Sequence, residues 1–227
     1  MNVRSRNMKD TLAIPLIFLL LLFGGYQVHA QDEMVSQTDE IKYGLQFRAG
    51  TSFSQNSDHL ILNIYEGYWL EPVSLDMRYE LNFVANIRNK WTLFTGLNYS
   101  NRNFEGTYYC HVCDFFVFPN GPEKLTFRFL EVPLYLRYNL LDRKINWHVE
   151  AGLDASFTLN RPTIWYGEKL DVNRFNLNFF AGTGLNYDVN NRINVNLTVG
   201  YRRQLYSKAW NEFQAAEIKA GIIYYLK

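Results

Sequence analysis

The sequence predicts an all-β fold: eight antiparallel strands closed into an up-and-down barrel that crosses a bilayer. Three observations carry this. About eight segments, the first beginning near Tyr43, alternate apolar and polar residues one for one. The connections between them alternate short and long. Aromatic residues, 17% of the chain, gather at the strand ends beside the short connections. Successive side chains of a strand point to opposite faces, so each segment has one greasy and one polar face. After residue 30 no apolar run reaches the ~20 residues a spanning helix needs. An open sheet would leave its edges unpaired in lipid, so a membrane sheet of this kind must close.

The N-terminus reads as an address. Arg4, Arg6 and Lys9 form a basic start, Leu12 to Phe23 is an apolar run, and Val28 and Ala30 are small residues at the −3 and −1 positions of a cleavage site. Residues 1–30 are therefore expected to be a cleaved secretory signal peptide, cut before Gln31. No Cys lies in or just after it, so a lipid anchor is not expected. Residues 31–41, with Asp32, Glu33, Asp39 and Glu40, read as a polar periplasmic tail, and 42–227 as the barrel. The chain has a net charge of +1 and no basic cluster, which excludes nucleic acid as an implied partner.

The strands follow in order. The first spans about Tyr43–Phe53, with Tyr43, Leu45, Phe47 and Ala49 outward and Gln46, Arg48 and Gly50 inward. The second is the plainest: Val73, Leu75, Met77, Tyr79, Leu81 and Phe83 oppose Ser74, Asp76, Arg78, Glu80 and Asn82. The third starts at Trp91 and sets Leu93, Leu97 and Tyr99 against Asn98 and Ser100. The fourth, about Lys124–Tyr138, changes parity midway. Leu125, Phe127 and Phe129 share one face, then Leu130, Val132, Leu134, Leu136 and Tyr138 do, so a one-residue bulge near Phe129–Leu130 is expected beside Pro133. The fifth sets Ile145, Trp147, Val149, Ala151 and Leu153 against Asn146, His148, Glu150 and Asp154. In the sixth, Phe175, Leu177, Phe179 and Leu185 oppose Asn176, Asn178 and Asn186; in the seventh, Ile193, Val195, Leu197, Val199 and Tyr201 oppose Asn194, Asn196, Thr198 and Arg202. The eighth turns Ile218, Ala220, Ile222, Tyr224 and Leu226 outward and ends on Lys227, not on an aromatic residue.

Short turns at 85–90, 139–144 and 188–192 against long connections at 54–72, 101–123, 158–173 and 203–215 give the asymmetry of outer-membrane barrels, short side periplasmic. Tyr43, Phe83, Trp91, Tyr138, Trp147, Tyr187 and Tyr224 then form an aromatic girdle at the periplasmic rim. Phe53, Tyr99, Phe127, Phe157, Phe175 and Tyr201 stand at the opposite rim. A water-soluble barrel would carry the same alternation inside out, with an apolar ligand cup. The aromatic rims and the Gly- and Asn-rich polar face argue for lipid outside.

That orientation sends Arg48, Arg78, Arg128, Arg137, Arg202 and Lys219 into the lumen with Asp76, Glu80, Glu131, Glu150, Asp154 and His148. Eight strands leave an interior just wide enough for side chains, so paired charges should plug it. His148, Glu150 and Asp154 share one face as a nominal acid–base set, but alternate inward residues lie ~7 Å apart along a strand, too far for His148 and Asp154 to touch. In the second long loop, Cys110, His111, Cys113 and Asp114 leave three chemistries open: a local disulfide between Cys110 and Cys113, a metal site, or redox-active thiols. Tyr108, Tyr109, Phe115, Phe116 and Phe118 in the same loop mark a lid over the mouth or a contact surface.

The run Leu130-Glu131-Val132-Pro133-Leu134-Tyr135-Leu136-Arg137-Tyr138 resembles the L-E-[IV]-P-L-x-[LF]-[KR]-[YF] strand of small Bacteroidota outer-membrane β-barrel proteins, described as porin-like and including the PorT-like barrels of type IX secretion. The resemblance implies an outer-membrane location and a role in secretion or envelope assembly. The expected function is a non-enzymatic structural or interaction component of the envelope, without cofactor or resident metal. It would contact outer-membrane lipid and, through its extracellular loops, envelope or secretion-machine proteins. A narrow porin-like channel and a barrel enzyme acting on lipid or peptide are the alternatives.

Overall fold

A computed structural model of the chain describes residues 41–226 apart from 57–58, 62–65, 73–74, 88–89, 111–120, 142–143, 164–168, 170–173 and 207–212. The expected signal peptide (1–30), nearly all of the 31–41 tail, and His111, Cys113, Asp114, Phe115, Phe116 and Phe118 lie outside the described residues. The strands are β1 (Lys42–Asn56), β2 (His59–Ile61), β3 (Glu66–Pro72), β4 (Asp76–Ile87), β5 (Trp91–Cys110), β6 (Glu123–Asn139), β7 (Ile145–Thr158), β8 (Phe175–Asn190), β9 (Ile193–Tyr206) and β10 (Phe213–Tyr225).

Eight of them close the barrel in the order β4-β1-β10-β9-β8-β7-β6-β5, every neighbour antiparallel, with the β5–β6 pairing completing the ring. The two others were read from sequence as loop. β3 continues the line of β4 along β5, pairing with Phe104–Cys110 where β4 pairs with Trp91–Ser100. β2 folds back on β3. Side-chain acceptors bridge the break between β4 and β3: Met77 N–H donates to Asn101 Oδ1 (2.8 Å) and Asn103 N–H to Asp76 Oδ1 (2.8 Å). The result is a sheet extension rising from the long-loop end of the barrel.

Alternation governs the burial. Along β4 the pattern from Asp76 is buried, exposed, buried, exposed almost to the end. The exposed positions carry Met77, Tyr79, Leu81 and Phe83, and the buried ones Asp76, Arg78, Glu80 and Asn82. Such inversion, charges inside and oil outside, suits a bilayer as solvent and no other. On β6 the outward apolar residues run from Tyr138 through Leu136, Leu134 and Val132 to Leu130. On β9 they run from Ile193 through Val195, Leu197 and Val199 to Tyr201. Nine residues of strand cover roughly 30 Å, which at a 35–45° tilt matches an apolar band of about 25 Å.

All seven girdle aromatics sit on the outer face beside the short turns. Tyr43 stacks on Phe83 at 5.7 Å and Trp91 meets Tyr138 at 4.6 Å. Lys144 Nζ covers the Tyr187 ring at 5.4 Å, and Trp147 Nε1 donates to Thr183 Oγ1 at 2.7 Å.

The expected bulge in β6 is absent. The register holds from Trp91↔Tyr138 to Gly106↔Glu123 against β5 and from Phe129↔Thr158 to Asn139↔His148 against β7. The donor that Pro133 lacks is absorbed by a gap in the β5 ladder between Thr95↔Leu134 and Asn98↔Glu131, with no slip. The face change is real but chemical: Leu125, Phe127 and Phe129 point inward, 1%, 1% and 2% exposed, and Arg128 points outward. Phe127 therefore leaves the outer rim, and Arg128 leaves the lumen.

Leu134 lies midway along the β6 band and Tyr138 at its edge. Leu134→Arg should cost about 2–4 kcal/mol of folding free energy into phosphocholine vesicles, and Tyr138→Arg at most about 1, by urea titration. Equal costs at the two depths would contradict the placement of the band.

Candidate functional site

The polar groups of the barrel converge on its axis. The described lumen holds six buried cations, Arg48, Arg78, Arg102, Arg137, Arg202 and Lys219, and six buried carboxylates, Asp76, Glu80, Glu131, Glu150, Asp154 and Glu217. Arg102 and Glu217 were missed from sequence, and they bring the two signs into balance. Parity could have found Glu217, two residues from Lys219 on the same face of β10; Arg102 was hidden by reading the end of β5 as loop.

Arg48 on β1 joins opposite walls. Its Nε donates to Glu80 Oε2 on the adjacent β4 at 2.5 Å, and its Nη1 reaches Glu150 on β7, four strands away around the ring, at 2.8 and 3.0 Å. Glu80 also accepts from Arg78 Nε at 2.7 Å and from Lys219 Nζ at 3.2 Å. Glu150 also accepts from Arg137 Nε (3.0 Å) and Nη2 (2.8 Å), and Arg137 Nη1 donates to Asn186 Oδ1 (3.0 Å).

A second knot lies nearer the long-loop end. Arg78 pairs with Glu131, and Arg202 with Asp154 and, through Nε at 2.5 Å, with Glu217. Tyr135 OH donates to Asp154 and accepts from Arg202 Nη2 at 3.0 Å. Each carboxylate named in these two knots meets cations or donors from more than one strand, which is what burial of a charge requires.

Rings fill the space between the ions. Phe94, Tyr135, Phe180, Val84 and Ile223 form one buried cluster. Arg137 lies over Phe94 at 4.6 Å and Lys219 over Phe180 at 3.8 Å, so each cation faces the negative side of a π-system as well as a carboxylate. Phe180 is admitted by glycines: a Cβ on Gly200 would stand 2.5 Å from Phe180 Cε2, and one on Gly182 2.8 Å from its Cζ. At the long-loop mouth Tyr68, Phe104, Leu125, Phe127, Phe129 and Phe213 form a second cluster. Phe213 of β10 reaches Phe104 of β5 at 5.6 Å, and Arg102 lies over Phe129 and Phe213, each at 4.8 Å. Side chains of β5, β6 and β10 thus meet across the long-loop mouth.

Of the residues singled out from sequence, Arg48, Asp76, Arg78, Glu80, Glu131, Arg137, His148, Glu150, Asp154, Arg202 and Lys219 are all buried on the inner face. Arg128 is not, because its neighbours Phe127 and Phe129 occupy the inward positions. His148 approaches Thr198 Oγ1 at 3.2 Å through Nε2, while Glu150 and Asp154 are each held by arginines. The three residues are separately engaged and form no relay. Cys110 is disulfide-bonded at the end of β5. Tyr108 packs on Tyr68 at 5.4 Å, while Tyr109 meets Trp69 at 5.5 Å on the other side of the extension.

A closed eight-stranded barrel with an oily exterior and an ionic core is an integral protein of the bacterial outer membrane. The chain belongs to the outer membrane protein beta-barrel domain family, whose model matches residues 35–207. A search of the curated proteins finds no match. Among solved structures it is similar to Neisserial surface protein A (11% identity, 80% of this chain and 96% of that one, TM-score 0.49). It is similar also to Ail, the attachment invasion locus protein of Yersinia pestis, in complex with the heparin analogue sucrose octasulfate (13%, 82% and 99%, TM-score 0.49). A third is the outer membrane enzyme PagL (10%, 78% and 97%, TM-score 0.45).

Glu80 receives three cations and Arg161 is an exposed loop residue. Glu80→Leu leaves those cations without their shared counter-charge and should destabilise the barrel by about 3–5 kcal/mol. Arg161→Leu, at an exposed site, should cost at most about 1 kcal/mol. Urea midpoints in vesicles report both, and equal midpoints would refute a plug held by ion pairs.

Proposed function

We propose that the protein is a non-enzymatic, non-conducting component of the outer membrane that acts through its outer surfaces and its extracellular extension. The carrying observation is the filled lumen: Arg48 braced between Glu80 and Glu150 below, and Phe213 lying against Phe104 above. A narrow pore needs a continuous path, and salt bridges from wall to wall leave little room for one. An enzyme needs reactive groups reachable by substrate, and Glu80, Glu131, Glu150, Asp154 and Glu217 are each paired with arginines.

The extension offers the contact surface. Trp69 is 49% exposed and stands beside Tyr109, on a sheet made of β3 and the end of β5. A large amphipathic ring projecting from a rigid sheet is the kind of residue that anchors protein interfaces. The Leu130–Tyr138 strand resembles that of small Bacteroidota outer-membrane barrels, a family that includes the PorT-like barrels, and this favours a secretion or envelope-assembly machine as the partner.

In planar bilayers at about 1 M KCl the purified protein should give no discrete conductance steps; reproducible ohmic steps would move it to the channel class. A photo-crosslinking residue at Trp69 should capture a discrete protein adduct in native membranes, and the same residue at Leu197, in the lipid band, should not. Absence of an adduct at Trp69 would remove the extension as the contact surface.

A further inference from the structure

The short-turn end of the lumen carries a charge pattern of its own. Lys42 opens β1, and Lys90, Lys144 and Arg192 each stand one residue before β5, β7 and β9. These strands alternate with the others around the ring, so a cation stands at every second strand, about 10 Å of ring from the next. The ladder fixes the backbone at each turn. Asn139 N–H donates to Lys90 C=O (2.8 Å), Asp188 N–H to Lys144 C=O (3.0 Å) and Tyr225 N–H to Arg192 C=O (2.8 Å). Each bond continues the register of its strand pair by one step, so alternation still holds there. Tyr43, Trp91, Ile145 and Ile193 belong to the outer face, which puts the residue before each of them on the lumen side. Lys144 curls back over the Tyr187 ring at 5.4 Å. Lys42, Lys90 and Arg192 are exposed at the mouth, and none of the three pairs with an acid among the described residues.

These three cations span the arc β5-β4-β1-β10-β9, and the same arc holds amides with nothing to bond. Asn86 Oδ1, Asn194 Oδ1, Gln46 Nε2 and both polar atoms of Asn196 have no hydrogen-bond partner among the described residues. All four residues are at least nine-tenths buried. Amides on the other side of the mouth are engaged: Asn186 Nδ2 donates to Asn139 Oδ1 (2.9 Å), and Asn146 Oδ1 accepts from Leu141 N–H (3.0 Å). Buried polar groups are met by protein, by water or by a ligand. Tyr225 lies across the arc from β10. A Cβ on Gly44 would stand 3.2 Å from Tyr225 Cδ1, and the Tyr225 hydroxyl accepts from Asn86 Nδ2 at 3.4 Å, a long bond that is readily given up.

We infer that the short-turn mouth binds an acidic peptide segment of a periplasmic partner, its carboxylates on Lys42, Lys90 and Arg192 and its backbone turned to Asn86, Asn194 and Asn196. Unmet acceptors and donors side by side suit a ligand that brings both N–H and C=O, as a peptide does at nearly every residue, whereas a phosphate ion brings chiefly acceptors. The cations stand on the lumen side of their strands, with the aromatic girdle between them and the lipid face, so they are offered to water. A chain in the polyproline II form presents the same face every three residues, about 9 Å, close to the spacing of the cations. Tyr225 swings off Gly44 to let such a chain reach the amides. This surface lies at the opposite end of the barrel from Trp69 and does not depend on the extension.

The test is the binding of fluorescent peptides to the full protein in phosphatidylcholine nanodiscs. One extended peptide carries Glu at every third position and the other carries Gln there. The Glu peptide should bind and the Gln peptide should bind far more weakly. Lys42→Gln, Lys90→Gln and Arg192→Gln should each weaken the Glu peptide about threefold, the effect of one exposed ion pair. Lys124→Gln, an exposed site at the long-loop end, should leave its affinity unchanged. Inorganic triphosphate should displace the labelled peptide poorly beside unlabelled peptide of equal charge, and bound peptide should shift the ring NMR signals of Tyr225. Heat-modifiable migration of each variant on a gel verifies the fold, and the comparison of the two peptides needs no variant. Equal binding of both peptides, triphosphate displacing as well as peptide, unmoved Tyr225 signals with peptide bound, or unchanged affinity in folded Arg192→Gln would each overturn the inference. Phosphatidylglycerol retained in native mass spectrometry and lost with Arg192→Gln would assign the rim to lipid headgroups and overturn it as well.

Discussion

The barrel depends on one constraint: charges placed in its core have no water to retreat to and must find each other across the axis. Arg48 meets it most directly. It stands on β1 and holds Glu80 beside it and Glu150 on the opposite wall, so it fixes the diameter as well as neutralising both acids. Arg202 plays a similar part between Asp154 and Glu217. A buried pair is weak evidence of net stability, but loss of one member is costly because the other is stranded. In a ring of eight strands that cost becomes a specification of register. A slip of one residue on β1 would turn Arg48 toward lipid and bring Phe47 onto the axis.

The two faces therefore do different work. The inner face is filled by ions, amides and rings in contact, with glycines such as Gly182 and Gly200 making room for Phe180. The outer face is a solvent contact, with an oily band that carries aromatics at both ends: the girdle beside the short turns, and Phe53, Phe157, Phe175 and Tyr201 toward the long loops. The proposed function rests on this filling and puts the protein's action at its surfaces, above all at the sheet extension that carries Trp69 and Tyr109.

The strand pattern was legible because lipid and a packed lumen impose opposite chemistry on alternate residues, and the reading of β4 needed nothing more. It failed where that contrast ends. Above Leu130 on β6 the inner face carries an apolar cluster, so Leu125, Phe127 and Phe129 turn inward to join it and Arg128 turns outward. Treating aromatic as outward forced a bulge where the strand runs straight. The same assumption hid Phe94, Tyr135 and Phe180, apolar or amphipathic residues that fill gaps between charges. β2 and β3 were hidden for another reason: they are short, and their pairing with β5 is set by a distant strand end that a local pattern does not contain.

Nitroxide labels placed singly at Leu130, Val132, Leu134, Leu136 and Tyr138 give the most direct view of which solvent bathes the oily rows. In a reconstituted bilayer, oxygen accessibility should rise to a maximum at Leu134 and fall toward both ends, while a water-soluble nickel chelate shows the reverse. A flat profile with the chelate reaching all five positions would put water where this account puts lipid, and would turn the barrel inside out.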